Sequence, residues 1–126
     1  MDINSIKIDL VDDDASVRRG VSRLLRSHGF SCQTYECGEA ALADPTIGLA
    51  DCLILDVQLP GIDGFETRDK LRQKGLNIPI LFITGHPDVE SSEWLSRLGG
   101  QPFLGKPFQD VELVAMIRRL LHGWSR

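Results

Sequence analysis

The sequence predicts a doubly wound α/β domain: a five-stranded parallel sheet with helices on both faces. Three observations carry this. Short β-rich runs alternate with helix-period segments five times along the chain. Two of those runs, residues 51–55 and 78–83, are apolar at nearly every position, as strands covered on both faces are. Ionisable or hydroxyl side chains stand where the runs end and are nearly absent inside them, Lys7 and Asp9 excepted. Such alternation implies right-handed crossovers between neighbouring parallel strands.

Residues 6–11 form the first strand candidate, stopped by Asp12-Asp13-Asp14, which offer a helix N-cap. Val17, Val21, Leu24, Leu25 and His28 follow at helical spacing, and Gly29 closes that helix. Phe30, Cys32 and Thr34 alternate with polar residues and suggest a second strand near a sheet edge. Residues 39–43 are a short second helix, ended by Asp44-Pro45. The third strand ends at Asp56, before a turn with Pro60, Gly61 and Gly64. Phe65, Arg68, Leu71 and Arg72 belong to a third helix closed by Gly75. The fourth strand ends at Thr84, a weaker helix covers about 89–98, and Phe103-Leu104 is a minimal fifth strand before Lys106-Pro107. Val111, Val114, Ile117, Leu120 and Leu121 mark the stripe of the last helix.

A chain of 126 residues with 42% apolar and 25% charged side chains has one domain's worth of core. We expect a single domain over 1–126, with its core at about 6–121. The net charge of −4 disfavours a duplex-binding surface, and no run is long enough to span a bilayer. The first residues lack the pattern of a signal peptide, and three cysteines without CxxC spacing support neither disulfides nor zinc. Buried, reduced Cys32, Cys37 and Cys52 and a cytoplasmic location are expected.

In open parallel sheets, ligands bind beyond the carboxyl ends of the strands. If the first and third strands are neighbours, Asp12, Asp13 and Asp56 converge there. Carboxylates so close repel and need a cation to coexist ionised; hard oxygen donors on a half-open site suit Mg2+. Lys106 and Thr84 on the opposite rim suit phosphoryl oxygens, and a carboxylate can itself be the phosphoryl acceptor. Each feature alone also serves as a solvated cap or turn; their joint placement at successive strand ends is what points to chemistry.

Val11-Asp12-Asp13, Leu55-Asp56 with Pro60 and Asp63-Gly64, Ile83-Thr84-Gly85 and Gly105-Lys106-Pro107-Phe108 together resemble the receiver domain of two-component response regulators. The resemblance runs from about Ile6 to Leu121 and implies the flavodoxin-like strand order 2-1-3-4-5. It implies that Asp56 takes a phosphoryl group from a sensor histidine kinase or histidine phosphotransfer protein. Asp13 and Asp56 would ligate Mg2+, Asp12 directly or through water, and the Gln58 carbonyl would complete the shell. Lys106 would pair with the phosphoryl group, Thr84 would swing onto it, and Phe103 would be the switch aromatic. A cis Lys106-Pro107 peptide and an output face on the fourth helix, fifth strand and fifth helix, with a possible homodimer there, are implied too. No small-molecule turnover, no nucleic-acid contact and no membrane are expected.

Gln58 and His86 take positions that modulate phosphoryl lifetime in this family; exposed loop residues without kinetic effect are the alternative. The fourth helix has a thin stripe, with Ser92 and Ser96, and Gly99-Gly100-Gln101-Pro102 after it, so it is expected to be short, mobile or displaced. Trp94 is either an exposed anchor or a core-edge residue. Arg19, Arg23 and Arg26 share the polar face of the first helix, solvated or contacting an acidic kinase surface. An interaction module that takes no phosphate and an aspartyl-nucleophile phosphohydrolase are the rival readings; the latter lacks an acid at Gln58. Thr84-Gly85-His86 also resembles receivers fused to LuxR-type DNA-binding domains, so the chain is either a lone receiver or the front of a longer regulator.

Overall fold

The structure, a computed structural model, describes residues 6–85 and 92–123. Its elements run β1 (Ile8–Val11), α1 (Ala15–Ser27), β2 (Thr34–Tyr35), α2 (Gly38–Ala43), β3 (Cys52–Asp56), α3 (Gly64–Gln73), β4 (Ile80–Thr84), α4 (Ser92–Leu98), β5 (Phe103–Gly105) and α5 (Asp110–Gly123). The sheet has the order β2-β1-β3-β4-β5, and every pair in it is parallel. This is the expected α/β architecture and strand order.

β3 and β4 are buried at every residue, which is why their sequences are apolar up to the last position, Asp56 and Thr84. The core divides by strand parity. Ile8, Leu10, Ile54, Leu81 and Ile83 face α1 and α5, where Val21, Leu25, Leu113 and Ile117 meet them. Val11, Leu53, Leu55 and Phe82 face the other layer, against Ala41, Phe65, Leu71 and Leu98.

Local chemistry sets the boundaries. Asp14 caps α1, its carboxylate accepting the Ser16 N–H at 2.8 Å. Asp63 and Glu66 form a reciprocal capping box at the start of α3. Gly29 and Gly75, with φ of 87° and 83°, close α1 and α3 in the left-handed region.

Several expectations need correction. β2 is shorter than its alternating residues suggest: Thr34, on the face of Phe30 and Cys32, is left exposed, while Tyr35 on the other face is buried. Phe30 and Cys32 join the α1/α5 layer, and Tyr35 joins the opposite one. β4 starts at Ile80 because Pro79 has no N–H to give, although its carbonyl still accepts Leu53 N–H at 2.9 Å. A 3-10 turn at Ile47–Leu49 leads into β3 and was not expected. On α5, Val111 is 69% exposed and Leu113 is fully buried, so the inward stripe is Leu113, Val114, Ile117 and Leu120. Cys32 and Cys52 are buried, with thiols pushed by burial up to about 11 and about 12, but Cys37 is only half-buried.

Among the described residues α4 covers Ser92–Leu98, and its inward contacts come from Trp94 and Leu98 while Ser96 is exposed. The expected start at residues 89–91 lies outside the described residues, as does His86. The two ionisable residues inside the first strand pair with each other: Lys7 Nζ binds the fully buried Asp9 carboxylate, which also accepts Gln33 N–H at 3.2 Å. Burial raises the Asp9 pKa; Lys7 and the Gln33 N–H oppose that.

Candidate phosphoacceptor and metal site

β1, β3 and β4 stop at the same edge, and each delivers one polar residue there. Asp12 follows β1 and is fully buried. Its Oδ1 accepts the Asp14 N–H at 2.9 Å, and its carbonyl accepts Arg18 Nη1 at 2.8 Å. Asp56 ends β3, 3% exposed, with its Oδ1 accepting the Gln58 N–H at 3.2 Å. Thr84 ends β4, fully buried, and its carbonyl accepts the Lys106 N–H at 2.7 Å. That bond and the Thr84–Gly105 register fix Lys106 at the site.

Lys106 Nζ donates to Asp12 Oδ2 at 2.7 Å and to Asp56 Oδ2 at 3.1 Å. Asp12, Asp13 and Asp56 each offer an oxygen, all within 4.8 Å of one another. Asp13 is exposed, so the cluster opens to solvent on that side. Three carboxylates against one ammonium leave two uncompensated negative charges. The donor set is all oxygen, anionic and open, which fits a hard divalent cation such as Mg2+. Burial drives the Asp56 pKa up to about 6 and the Asp12 charge adds to this, while Lys106 and the Gln58 N–H pull the other way. For Lys106, burial lowers the pKa, but its bonds to Asp12 and Asp56 outweigh it and the net direction is up.

Gly64 explains the Asp63-Gly64 pair. A Cβ there would lie 2.3 Å from the Asp56 carbonyl oxygen and 2.9 Å from Val57 Cα. α3 can therefore start directly against the acceptor strand, with Gly64 N–H on the Val57 carbonyl at 2.8 Å. The Lys106-Pro107 peptide is cis.

The expected residues Asp12, Asp13, Asp56, Thr84 and Lys106 thus share one edge. Gln58 is exposed and lines a cavity of about 650 Å3 with Asp13, Asp63, Trp94 and Arg97. A second cavity of about 810 Å3 lies between α1 and the loop after β5, lined by Val17, Val21, Arg23, Leu24, Pro107 and Phe108.

Phe103 is half-buried and packs edge-on against Trp94, ring centroids 5.3 Å apart. Trp94 packs edge-on against Phe65 at 5.8 Å, and Phe65 lies 5.0 Å from Phe82. Trp94 is thus a core-edge residue. Sequence reasoning missed what surrounds it. Arg68 is buried, its guanidinium 5.4 Å from Phe65 and 5.6 Å from Phe82, donating to the Leu98 carbonyl at 3.2 Å. Arg97 sits 4.8 Å from the Phe65 ring and 3.4 Å from Asp63. The only available signal was the helical spacing of Phe65 and Arg68, one turn apart.

Comparison with known proteins agrees with this geometry. The chain is 40% identical over 111 residues to the transcriptional regulatory protein FixJ of Bradyrhizobium diazoefficiens, covering 87% of this chain and 54% of that protein. It is 36% identical over 114 residues to the response regulator protein TodT of Pseudomonas putida, covering 90% and 50%. The chain spans about half the length of the curated relatives it matches. Among solved structures, the chemotaxis protein CheY4 of Vibrio cholerae superposes with a TM-score of 0.83 at 31% identity, over 93% of this chain and 99% of that one. Residues 8–118 match the response regulator receiver domain family. With that match over most of its length, and carboxylates and lysine gathered at the strand ends, the chain belongs to the receiver domains of two-component response regulators.

Proposed function

We propose that Asp56 is the phosphoacceptor, taking a phosphoryl group from the histidine of a sensor kinase or phosphotransfer protein. The observation that carries this is the convergence of Asp12, Asp13 and Asp56 on Lys106 at one sheet edge. An Asp56 carboxylate oxygen attacks phosphorus, the phosphorus–nitrogen bond of the donor breaks, and its electron pair stays on the imidazole. Asp12, Asp13 and Asp56, with the Gln58 carbonyl, would hold Mg2+. When bound, that ion supplies charge neutralisation between nucleophile and phosphoryl oxygens. Lys106, already 3.1 Å from Asp56, pairs with a phosphoryl oxygen, and the Thr84 hydroxyl binds another. Thr84 and Phe103 then carry the change to α4, β5 and α5, a population shift driven by contacts that exist only with the phosphoryl group present.

The apolar groove beside Pro107, rimmed by Arg23, fits a helix of the kinase carrying acidic residues. The α4-β5-α5 face is our candidate for a homodimer. Gln58 and His86 are our candidate modulators of phosphoryl lifetime. A cytoplasmic protein without nucleic-acid or membrane contacts from these residues fits the charge and the absence, among the described residues, of a helix long and apolar enough to cross a bilayer. The relatives' length makes a further output segment part of the proposal.

The test is incubation with Mg2+ and a small phosphoryl donor, read by intact mass. A single phosphoryl adduct, absent in Asp56→Asn, is expected. No adduct would point to an interaction module, and continuous release of phosphate with rapid turnover to a hydrolase.

A further inference from the structure

The cavity beside Gln58 holds a cation that the phosphoryl site does not use in its resting form. Arg97, from the last turn of α4, lines it together with Asp13, Gln58 and Asp63. Its guanidinium lies over the Phe65 ring at 4.8 Å and reaches Asp63 Oδ2 at 3.4 Å. The side chains of that pair are 44% and 32% exposed. Such a long, solvated pair contributes little to stability and breaks readily. Asp63 does not need it, because its other oxygen, Oδ1, caps α3 by accepting the Glu66 N–H at 2.8 Å.

Charge balance gives Arg97 somewhere to go. Lys106 is already shared by Asp12 and Asp56. A phosphoryl group carries about two negative charges where the acceptor carboxylate carried one, so roughly one more anionic charge arrives. Arg18 is also close to Asp13, but its guanidinium is anchored on the Asp12 carbonyl at 2.8 Å and its own cavity contains Glu36 and Glu39. Arg97 faces open space on the Asp13 and Gln58 side.

Resting on the reading of Asp56 as phosphoacceptor, we propose that Arg97 is a second cationic contact for the phosphorylated site, leaving Asp63 for the phosphoryl oxygens. The exchange draws the last turn of α4 toward the β3–α3 loop. It gives α4 a charge-driven link to the site, separate from Thr84 and Phe103.

The experiment measures binding of beryllofluoride, a stable phosphoryl mimic, in the presence of Mg2+ to the full chain. Arg97→Gln should weaken binding by about 3- to 10-fold, with Arg97→Lys recovering most of it. Asp63→Asn keeps an N-cap side chain but releases Arg97, so it should strengthen binding by a similar factor. Opposite effects from the two halves of one ion pair are what a merely structural bridge does not produce. Unchanged affinity in Arg97→Gln, or weakening in both variants, would overturn the inference. If the wild-type chain binds no beryllofluoride and forms no Asp56 adduct, the phosphoacceptor reading falls first and Arg97 falls with it.

Discussion

Lys106 Nζ stands between Asp12 and Asp56, 2.7 Å from one carboxylate and 3.1 Å from the other. The lysine therefore occupies the electrostatic position that a bound cation would share. Removing it leaves all three carboxylates facing each other. Lys106→Met should tighten Mg2+ binding by about 3- to 10-fold, because one competing charge is gone. The same variant should lower the melting temperature in metal-free buffer at pH 7.5. Titration calorimetry and thermal melts with and without Mg2+ check both, and weaker Mg2+ binding would show that Lys106 organises the ligands instead of competing.

Asp56 links the site to stability. Its folded pKa lies near 6, above the ordinary value of 3.8, with burial the main cause. The fold thus favours the protonated form. This contribution is fully present below about pH 4 and is lost as pH rises through about 6. Asp56→Asn removes the charge, so without metal it should be more stable than wild type at pH 7.5 by about 1–3 kcal/mol. The gain should vanish toward pH 4. Urea denaturation at the two pH values measures the difference directly.

Two glycines give opposite expectations. Gly64→Ala pushes a methyl to 2.3 Å from the Asp56 carbonyl, which must move. A loss of about 1–3 kcal/mol is expected, together with weaker Mg2+ binding, since the displaced strand end carries Asp56. Gly20 lies mid-α1 with nothing within 4 Å of its missing Cβ. Gly20→Ala should stabilise by about 0.5–1 kcal/mol. Equal effects at both positions would contradict the packing described.

The Trp94–Phe103 edge contact is open to a double-mutant cycle. Trp94→Ala and Phe103→Ala, singly and together, should show a coupling of about 0.5–1.5 kcal/mol. Additive losses would mean that the two rings report independently.

How far the sequence was legible depended on whether one residue's chemistry was enough to place it. β3 and β4 read directly because strands covered on both faces are apolar along their interiors. Asp12, Asp56, Thr84 and Lys106 read from their positions at strand ends, since the backbone register alone brings those ends together. Thr34 and Val111 were misassigned because a short edge strand and the first turn of a helix are constrained on one side only, where periodicity is weakest. Arg68 was opaque for a different reason. An arginine on a helix is ordinarily solvated, and here the neighbouring rings, the Leu98 carbonyl and the Asp69 carboxylate, 3.0 Å from Nε, make a buried site acceptable. Phe82 and Leu98 come from β4 and α4, far away in the chain, so no local window contains the whole set.

The ring series from Phe82 through Phe65 and Trp94 to Phe103 has a photophysical consequence. An indole held edge-on between two phenyl rings emits according to the distance and angle of both. The protein thus contains its own optical gauge at the meeting point of α3, α4 and β5. Trp124 is the other tryptophan, so in a Trp124→Phe background every photon from indole originates at that junction. Rearrangement of α4 can then be timed in the unlabelled chain, by light alone.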